Sequence, residues 1–218
     1  MAMSPGSAVE LLSDSWVWGK GVRHVIKKDK VMARTIRKVG RIAFEPDDGT
    51  YYESLVEAIL FQQLAGSAAR AILKKFKALY RGRIPTPRQY LSTSMAKLRA
   101  AGISPQKYSY IKDLCERIQD GRLRLNGFES MADHEVISML DEVKGIGRWT
   151  AEMFLLFNLG RADVVPMDDL GFRKGLQKAY KLRGLPEKER IERISSAWRP
   201  YGSIATLYLW RSLDKTPE

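Results

Sequence analysis

The feature that most constrains this chain is a pair of glycines, Gly145 and Gly147, set between two helical patterns. Asp133 to Leu140 places Val136, Met139 and Leu140 at helical spacing, with Asp133 as a cap. Lys144-Gly-Ile-Gly147 interrupts that pattern, because two glycines so close together favour a tight turn. Helical spacing resumes at Trp149 and carries Met153, Phe154, Leu156 and Phe157. The unit reads as helix, glycine hairpin, helix. The amides of Gly147, Arg148 and Trp149 then lie at a helix N-terminus, where unsatisfied N–H groups and the helix dipole both favour an anion. Arg148 adds a mobile cation. A plain helix turn with a glycine cap has the same pattern, so the hairpin alone does not decide function.

Charge points the same way. Lys and Arg number 37 against 25 Asp and Glu, a net charge of +12, which suits a polyanionic partner. Many basic proteins bind nothing special, so charge supports the hairpin without replacing it. Cys115 is the only cysteine. That excludes an intrachain disulfide and a four-cysteine iron–sulfur cluster. Cys115 falls on an apolar helical stripe, which predicts a buried thiol. His24 and His134 are too isolated to suggest a zinc site. No apolar run reaches membrane-spanning length, and the N-terminus lacks a signal-peptide core. Met1-Ala-Met3 reads as an expression scar. The expectation is a soluble, intracellular protein, working in the cytoplasm or nucleoid, or in a nucleus.

The remaining pattern is helical. Residues up to about Gly21 are weakly patterned. Helices are predicted over 27–38, 51–60, 67–79 with Ser67 as cap, 95–101, 105–118, 169–179, 186–198 and 203–213. Residues 44–50 and 82–87 read as loops. Only Arg122 to Leu125 is ambiguous with a strand. An all-α chain results, and its 218 residues suit one module or two closely packed subdomains.

Five stretches now combine. Gly145-Ile-Gly-Arg-Trp-Thr-Ala is followed, after an apolar helix, by Pro166-Met-Asp-Asp169. Leu55 to Leu64, Ala101-Gly-Ile-Ser-Pro-Gln-Lys107, Trp198-Arg-Pro-Tyr201 and Leu209-Trp-Arg211 accompany them in order. Together they resemble the helix-hairpin-helix DNA glycosylases, and most closely their alkylpurine (3-methyladenine) branch, over about 29–211. The resemblance implies two helical subdomains with an active cleft between them. The middle of the chain, about 55–165, makes one, and residues 1–54 with 166–218 make the other. It implies a monomer acting on double-stranded DNA that contains alkylated bases.

The resemblance also assigns residues. The second Asp of the pair, Asp169, matches the catalytic carboxylate, facing positive charge that builds on the sugar. The cap of the following helix is then assigned to Asp168. Trp149 stands where strand-cleaving relatives carry a Schiff-base lysine, which implies a monofunctional enzyme using water. Trp149, Trp210, Tyr52, Met153 and Leu170 are matched to the base pocket, whose aromatic faces attract a cationic alkylated base. Gln62, Gln63 and Leu64 match the segment inserted where a base is extruded, with Gln63 as the inserting side chain. Gly145, Gly147, Arg148 and Thr150 match the phosphate-binding hairpin. The family holds a monovalent cation, Na or K, on hairpin carbonyls, here those of Asp141, Val143 and Gly145. No other cofactor is implied. Gly202 departs from the family's usual arginine. A non-catalytic helix-hairpin-helix DNA-binding module would keep the hairpin without needing Asp169, the Gln62–Leu64 break or the pocket, whereas a lesion-sensing relative that does not cut would retain all of them.

Overall fold

The computed structural model describes residues 11–44, 47 and 49–214, and the side chain of Trp16 is not part of that description. The reading of 1–3 as a scar therefore lies outside the described residues. The described chain is all-α: α1 (Ser15–Lys28), α2 (Lys30–Val39), α3 (Tyr51–Phe61), α4 (Gly66–Ala78), α5 (Pro87–Leu91), α6 (Met95–Ala100), α7 (Pro105–Gln119), α8 (Asp133–Asp141), α9 (Arg148–Phe157), α10 (Leu170–Tyr180), α11 (Lys188–Ser195) and α12 (Gly202–Arg211). Short 3-10 turns occupy Phe128–Ser130 and Ser196–Trp198. Among the described residues there is no strand, only an isolated bridge between Leu11 and Arg161. Arg122 to Leu125 is turn and coil. No helix among them is long and apolar enough to cross a membrane.

The chain divides into two compact units. One is 47–154; the other combines 1–46 with 155–218, so the boundary falls inside α9. In the middle unit Leu55, Val56, Ile59 and Leu60 of α3 are buried, as are Phe76, Tyr90, Ile111, Leu114, Phe128, Val136 and Leu140. Thr50 starts α3 with a reciprocal cap: its hydroxyl accepts from Glu53 N–H, and its own N–H donates to Glu53 at 3.1 Å. In the other unit Met32, Ile36, Phe172, Leu176, Ile191, Trp198, Ile204 and Leu209 form the core.

Several local expectations change. Residues 15–28 form α1, although the sequence there looked unpatterned; Gly21 serves packing, since a Cβ would lie 2.9 Å from the Tyr201 ring and 3.0 Å from Ile204. The single helix expected over 27–38 is two, because Asp29 caps α2 by accepting from Val31 and Met32 N–H. Ser67 is not a cap: extended Ala65 starts α4 at Gly66. Asp133 is not a cap either. Ala132 takes that place, donating its N–H to Glu135 at 2.8 Å. α5 was not foreseen, although Thr86 and Gln89 form a capping box around Pro87.

Candidate DNA-repair site

The hairpin joins α8 to α9, and its two glycines do different work. Gly145 has φ +79, and a Cβ there would lie 2.1 Å from the Tyr110 ring of α7. Backbone conformation and packing both demand glycine. Gly147 has neither constraint, and a Cβ there would meet nothing within 4 Å. Its carbonyl accepts from Ala151 N–H at 3.1 Å, so it is the N-terminal flank of α9. The first amides of α9 have no acceptor within the helix, and bare Gly147 lets an external group approach them. Arg148, the expected mobile cation, is exposed but paired within its own helix. Its Nε donates to buried Glu152 one turn on, at 2.9 Å. Thr150, matched to the phosphate-binding hairpin, is buried.

The three carbonyls matched to a cation are not equivalent. Gly145 O accepts from Gln62 Nε2 at 2.7 Å, and Val143 O accepts from Ile146 N–H at 3.0 Å. Asp141 ends α8. No cluster of His, Cys, Asp or Glu among the described residues could hold a metal.

The break after α3 is equally specific. Gln63 has φ +58, in a region few side chains tolerate. Leu64 is 37% exposed. Gln62 does not point outward with its neighbours; its amide is spent on Gly145 O. Gln63 and Leu64 are thus the side chains this loop presents to solvent.

Trp149 and Met153 sit one turn apart on α9, hence on one helix face. Trp149 is 46% exposed, against the ordinary expectation for a core tryptophan. Tyr52 is half-buried, with its hydroxyl 3.4 Å from Cys115 Sγ. Burial drives the Tyr52 phenol far above its usual range and pushes the Cys115 thiol up to about 12. The Tyr52 phenol therefore stays protonated.

In the other unit, Asp169 stands at the start of α10. Its Oδ1 accepts from Phe172 N–H at 2.6 Å and from Trp210 Nε1 at 2.8 Å. Asp169 is thus itself the helix cap, which corrects the assignment of that role to Asp168. Asp168 pairs on the surface with Lys188 at 2.8 Å. Trp210, matched to the base pocket, stacks on Phe157 at 6.1 Å and orients the carboxylate. Gly171 admits this arrangement, since a Cβ would lie 3.1 Å from Asp169 and 3.2 Å from Trp210. Leu170, beside them, is 52% exposed. Gly202 has a local reason of its own. A Cβ there would lie 2.5 Å from Val165 and 2.8 Å from Asp163, so no arginine fits.

Leu64, Trp149 and Leu170 are among the few exposed large hydrophobics in the described chain. One signal was missed in the sequence. From Ala58 to Lys112 there is no Asp or Glu, while Arg70, Lys74, Lys75, Arg81, Arg83, Arg88, Lys97 and Arg99 are all exposed.

Comparison with known proteins decides the family. Residues 56–200 match the HhH-GPD superfamily base excision DNA repair protein family. The chain belongs to this family. It is 36% identical over 163 residues to DNA-3-methyladenine glycosylase 1 of Schizosaccharomyces pombe, covering 74% of this chain and 72% of that protein. It is 30% identical to the alkylbase DNA glycosidase-like protein of the same yeast, over 87% of this chain and 91% of the other. Among solved HhH-GPD structures, the DNA-3-methyladenine glycosidase of Bacillus halodurans superposes with a TM-score of 0.81 at 35% identity, covering 89% of each chain. The S. pombe 3-methyladenine DNA glycosylase in complex with abasic DNA gives 0.79 at 33% identity, over 91% of this chain and 100% of the other.

Proposed function

We propose that this HhH-GPD protein is a monofunctional DNA glycosylase that hydrolyses the N-glycosidic bond of alkylated purines in double-stranded DNA, leaving an abasic site. The observation that carries the reading is Asp169, whose Oδ1 is fixed by the Phe172 amide and the Trp210 indole. A side chain held in one orientation is preorganised toward charge that appears only in the transition state. As the glycosidic bond breaks, its electron pair leaves with the base and the sugar becomes cationic. The carboxylate faces that cation, and water adds to the sugar carbon and gives up a proton to Asp169 or to solvent. A 3-methyladenine or 7-methylguanine base starts out cationic and departs neutral, so no second acid is required.

The remaining parts serve binding and extrusion. The first amides of α9 hold a phosphate, and the carboxylate-free stretch attracts the duplex. Gln63 and Leu64 occupy the space the base vacates. Trp149, with Met153, offers a stacking face, and Trp149 stands where a lyase would need lysine. The hairpin carbonyls of Asp141, Val143 and Gly145 remain the proposed place of a Na or K ion. Such an ion would neutralise charge between carbonyl oxygens and a DNA phosphate. Gly145 O would have to accept the ion beside its bond to Gln62. The protein works inside the cell, where its substrate is, and as a monomer. The relatives named as 3-methyladenine glycosylases support this reading.

The test is release of free base from duplexes carrying 3-methyladenine, 7-methylguanine, 1-methyladenine or deaminated purines, with borohydride present in a parallel reaction. Release of the first two, no trapped protein–DNA adduct, and strand breaks only after alkali are expected. Trapping would remove the monofunctional assignment, and absence of release from every substrate would remove the enzymatic one.

A further inference from the structure

We propose that one face of α7 is a template that holds the Gln62–Leu64 break and the glycine hairpin in fixed register, with Lys107 and Gln62 as positioning residues for base extrusion. This rests on the reading of the chain as a DNA glycosylase. Lys107, Tyr110, Asp113 and Arg117 follow one another at three- and four-residue intervals, so they share a helix face. Each holds one of the two loops or the next member of the row.

Lys107 Nζ donates to Leu60 O and, at 3.0 Å, to Gln62 O. These carbonyls lie at the C-terminal end of α3, where unsatisfied oxygens and the dipole favour a cation. Burial among them pulls the Lys107 ammonium below its ordinary range. The neighbouring residue is Gln63, in its left-handed conformation. A non-glycine residue stays there only where its surroundings over-determine it, and Lys107 clamps the carbonyl just before it.

Further along the same face, the Tyr110 ring fills the space a side chain at Gly145 would need. Asp113 Oδ2 accepts from Lys144 N–H at 3.0 Å. Arg117 Nε braces Asp113 at 2.9 Å, and its Nη1 reaches Glu142 at 3.1 Å. Gln62 then closes the circuit, its carbonyl on Lys107 and its amide on Gly145 O. From Lys107 to Asp113 the helix rises about 9 Å. That fixed length sets the spacing between the group that probes a base pair and the turn that grips a phosphate. Extruding a base needs both at once, since force applied by one must be resisted by the other.

Lys107→Met and Gln62→Met keep side-chain length and remove the donors, and Lys107→Arg restores donors and charge. The probe is a duplex with a tetrahydrofuran abasic analogue opposite 2-aminopurine, whose emission reports insertion beside the orphaned base without any catalysis. At saturating protein, both Met variants should give emission moved back toward that of the free duplex, and Lys107→Arg should recover much of the parent signal. Release of 7-methylguanine in a single turnover should fall ~10- to 100-fold, as for displaced catalytic geometry. The salt dependence of binding should be unchanged, because Lys107 faces carbonyls and not phosphates. A salt slope lower by about 1 for Lys107→Met would make it a phosphate contact and overturn the proposal. Parent-like emission from both Met variants would also overturn it. If Lys107→Met fails to fold, as judged by its melting, Gln62→Met alone carries the test. Failure of the parent to release any base, with emission responding as expected, would remove the glycosylase reading and leave the template standing. Failure of the parent to bind the duplex overturns both.

Discussion

The hairpin and the Asp169 region solve opposite problems. At the hairpin the proposed phosphate contacts belong to the backbone, and the turn is bare of side chains and braced from outside. Tyr110, Asp113 and Gln62 all hold it from elsewhere in the middle unit. At Asp169 the proposed chemistry belongs to a side chain, and the brace is local. The first turn of α10 and Trp210 aim two N–H groups at one oxygen. The difference teaches where each region breaks. The hairpin fails by added bulk, and the carboxylate fails by lost charge.

The largest effect should therefore come from Asp169→Asn. It keeps shape and removes charge, and base release should fall by at least ~10²-fold. Binding to abasic DNA should hold or tighten. Single-turnover release and a titration on abasic duplex measure both, and parent-like release from a folded variant would move the chemistry elsewhere.

The two glycines sharpen the comparison next. Gly147→Val should weaken abasic-DNA binding by at least ~10-fold, the equivalent of one or two charge-assisted hydrogen bonds. It should cost folding only about 1 kcal/mol, as an apolar residue at a helix cap. Gly145→Val should do the reverse first, destabilising the fold by roughly 2–5 kcal/mol through its backbone conformation and the Tyr110 contact. Melting curves beside binding curves separate the two; similar losses of stability would erase the distinction.

Asp113 provides a smaller, pH-dependent effect. Burial pushes its carboxyl up, but the Lys144 amide and Arg117 outweigh burial and hold it below its ordinary 3.8. A carboxylate depressed in the folded state contributes stability above its unfolded value and loses it as pH falls through the folded one. Asp113→Asn should lower the melting temperature at pH 7, and the gap should close below about pH 3.8. A gap constant with pH would mean the contribution is packing alone. Asp168→Asn should matter least, within about 0.5 kcal/mol, because its partner Lys188 is a solvent-exposed one. Abolished release by this variant would show that the wrong carboxylate had been chosen.

Much of this was legible in the sequence. The apolar rows of α3, α7 and α8 follow helical spacing closely, and the residues expected inward at 55, 56, 59 and 60 are buried. The thiol of Cys115 is buried as its stripe implied. Caps were read less well. Ser67 and Asp133 carry good capping chemistry, but the backbone enters the helix one or two residues earlier. Asp168 and Asp169 carry equal local signals. What separates them is the Pro166 turn, whose carbonyl accepts Asp169 N–H, and Trp210, distant in sequence. α1 was hidden because Gly21 answers to Tyr201 and Ile204 and not to helix propensity. The commitment of Gln62 to Gly145 joins positions 83 residues apart, and no local pattern encodes such a contact.

Cys115 has a practical consequence. It is the only thiol in the chain, it is buried against Tyr52, and its ionisation is pushed up to about 12. At neutral pH it will not compete for a thiol-directed reagent. A cysteine introduced at exposed Leu64 would be the single reactive handle on an otherwise unaltered chain. Tethered to a duplex bearing a disulfide-linked base, it would record whether that loop enters the helix, one covalent bond at a time.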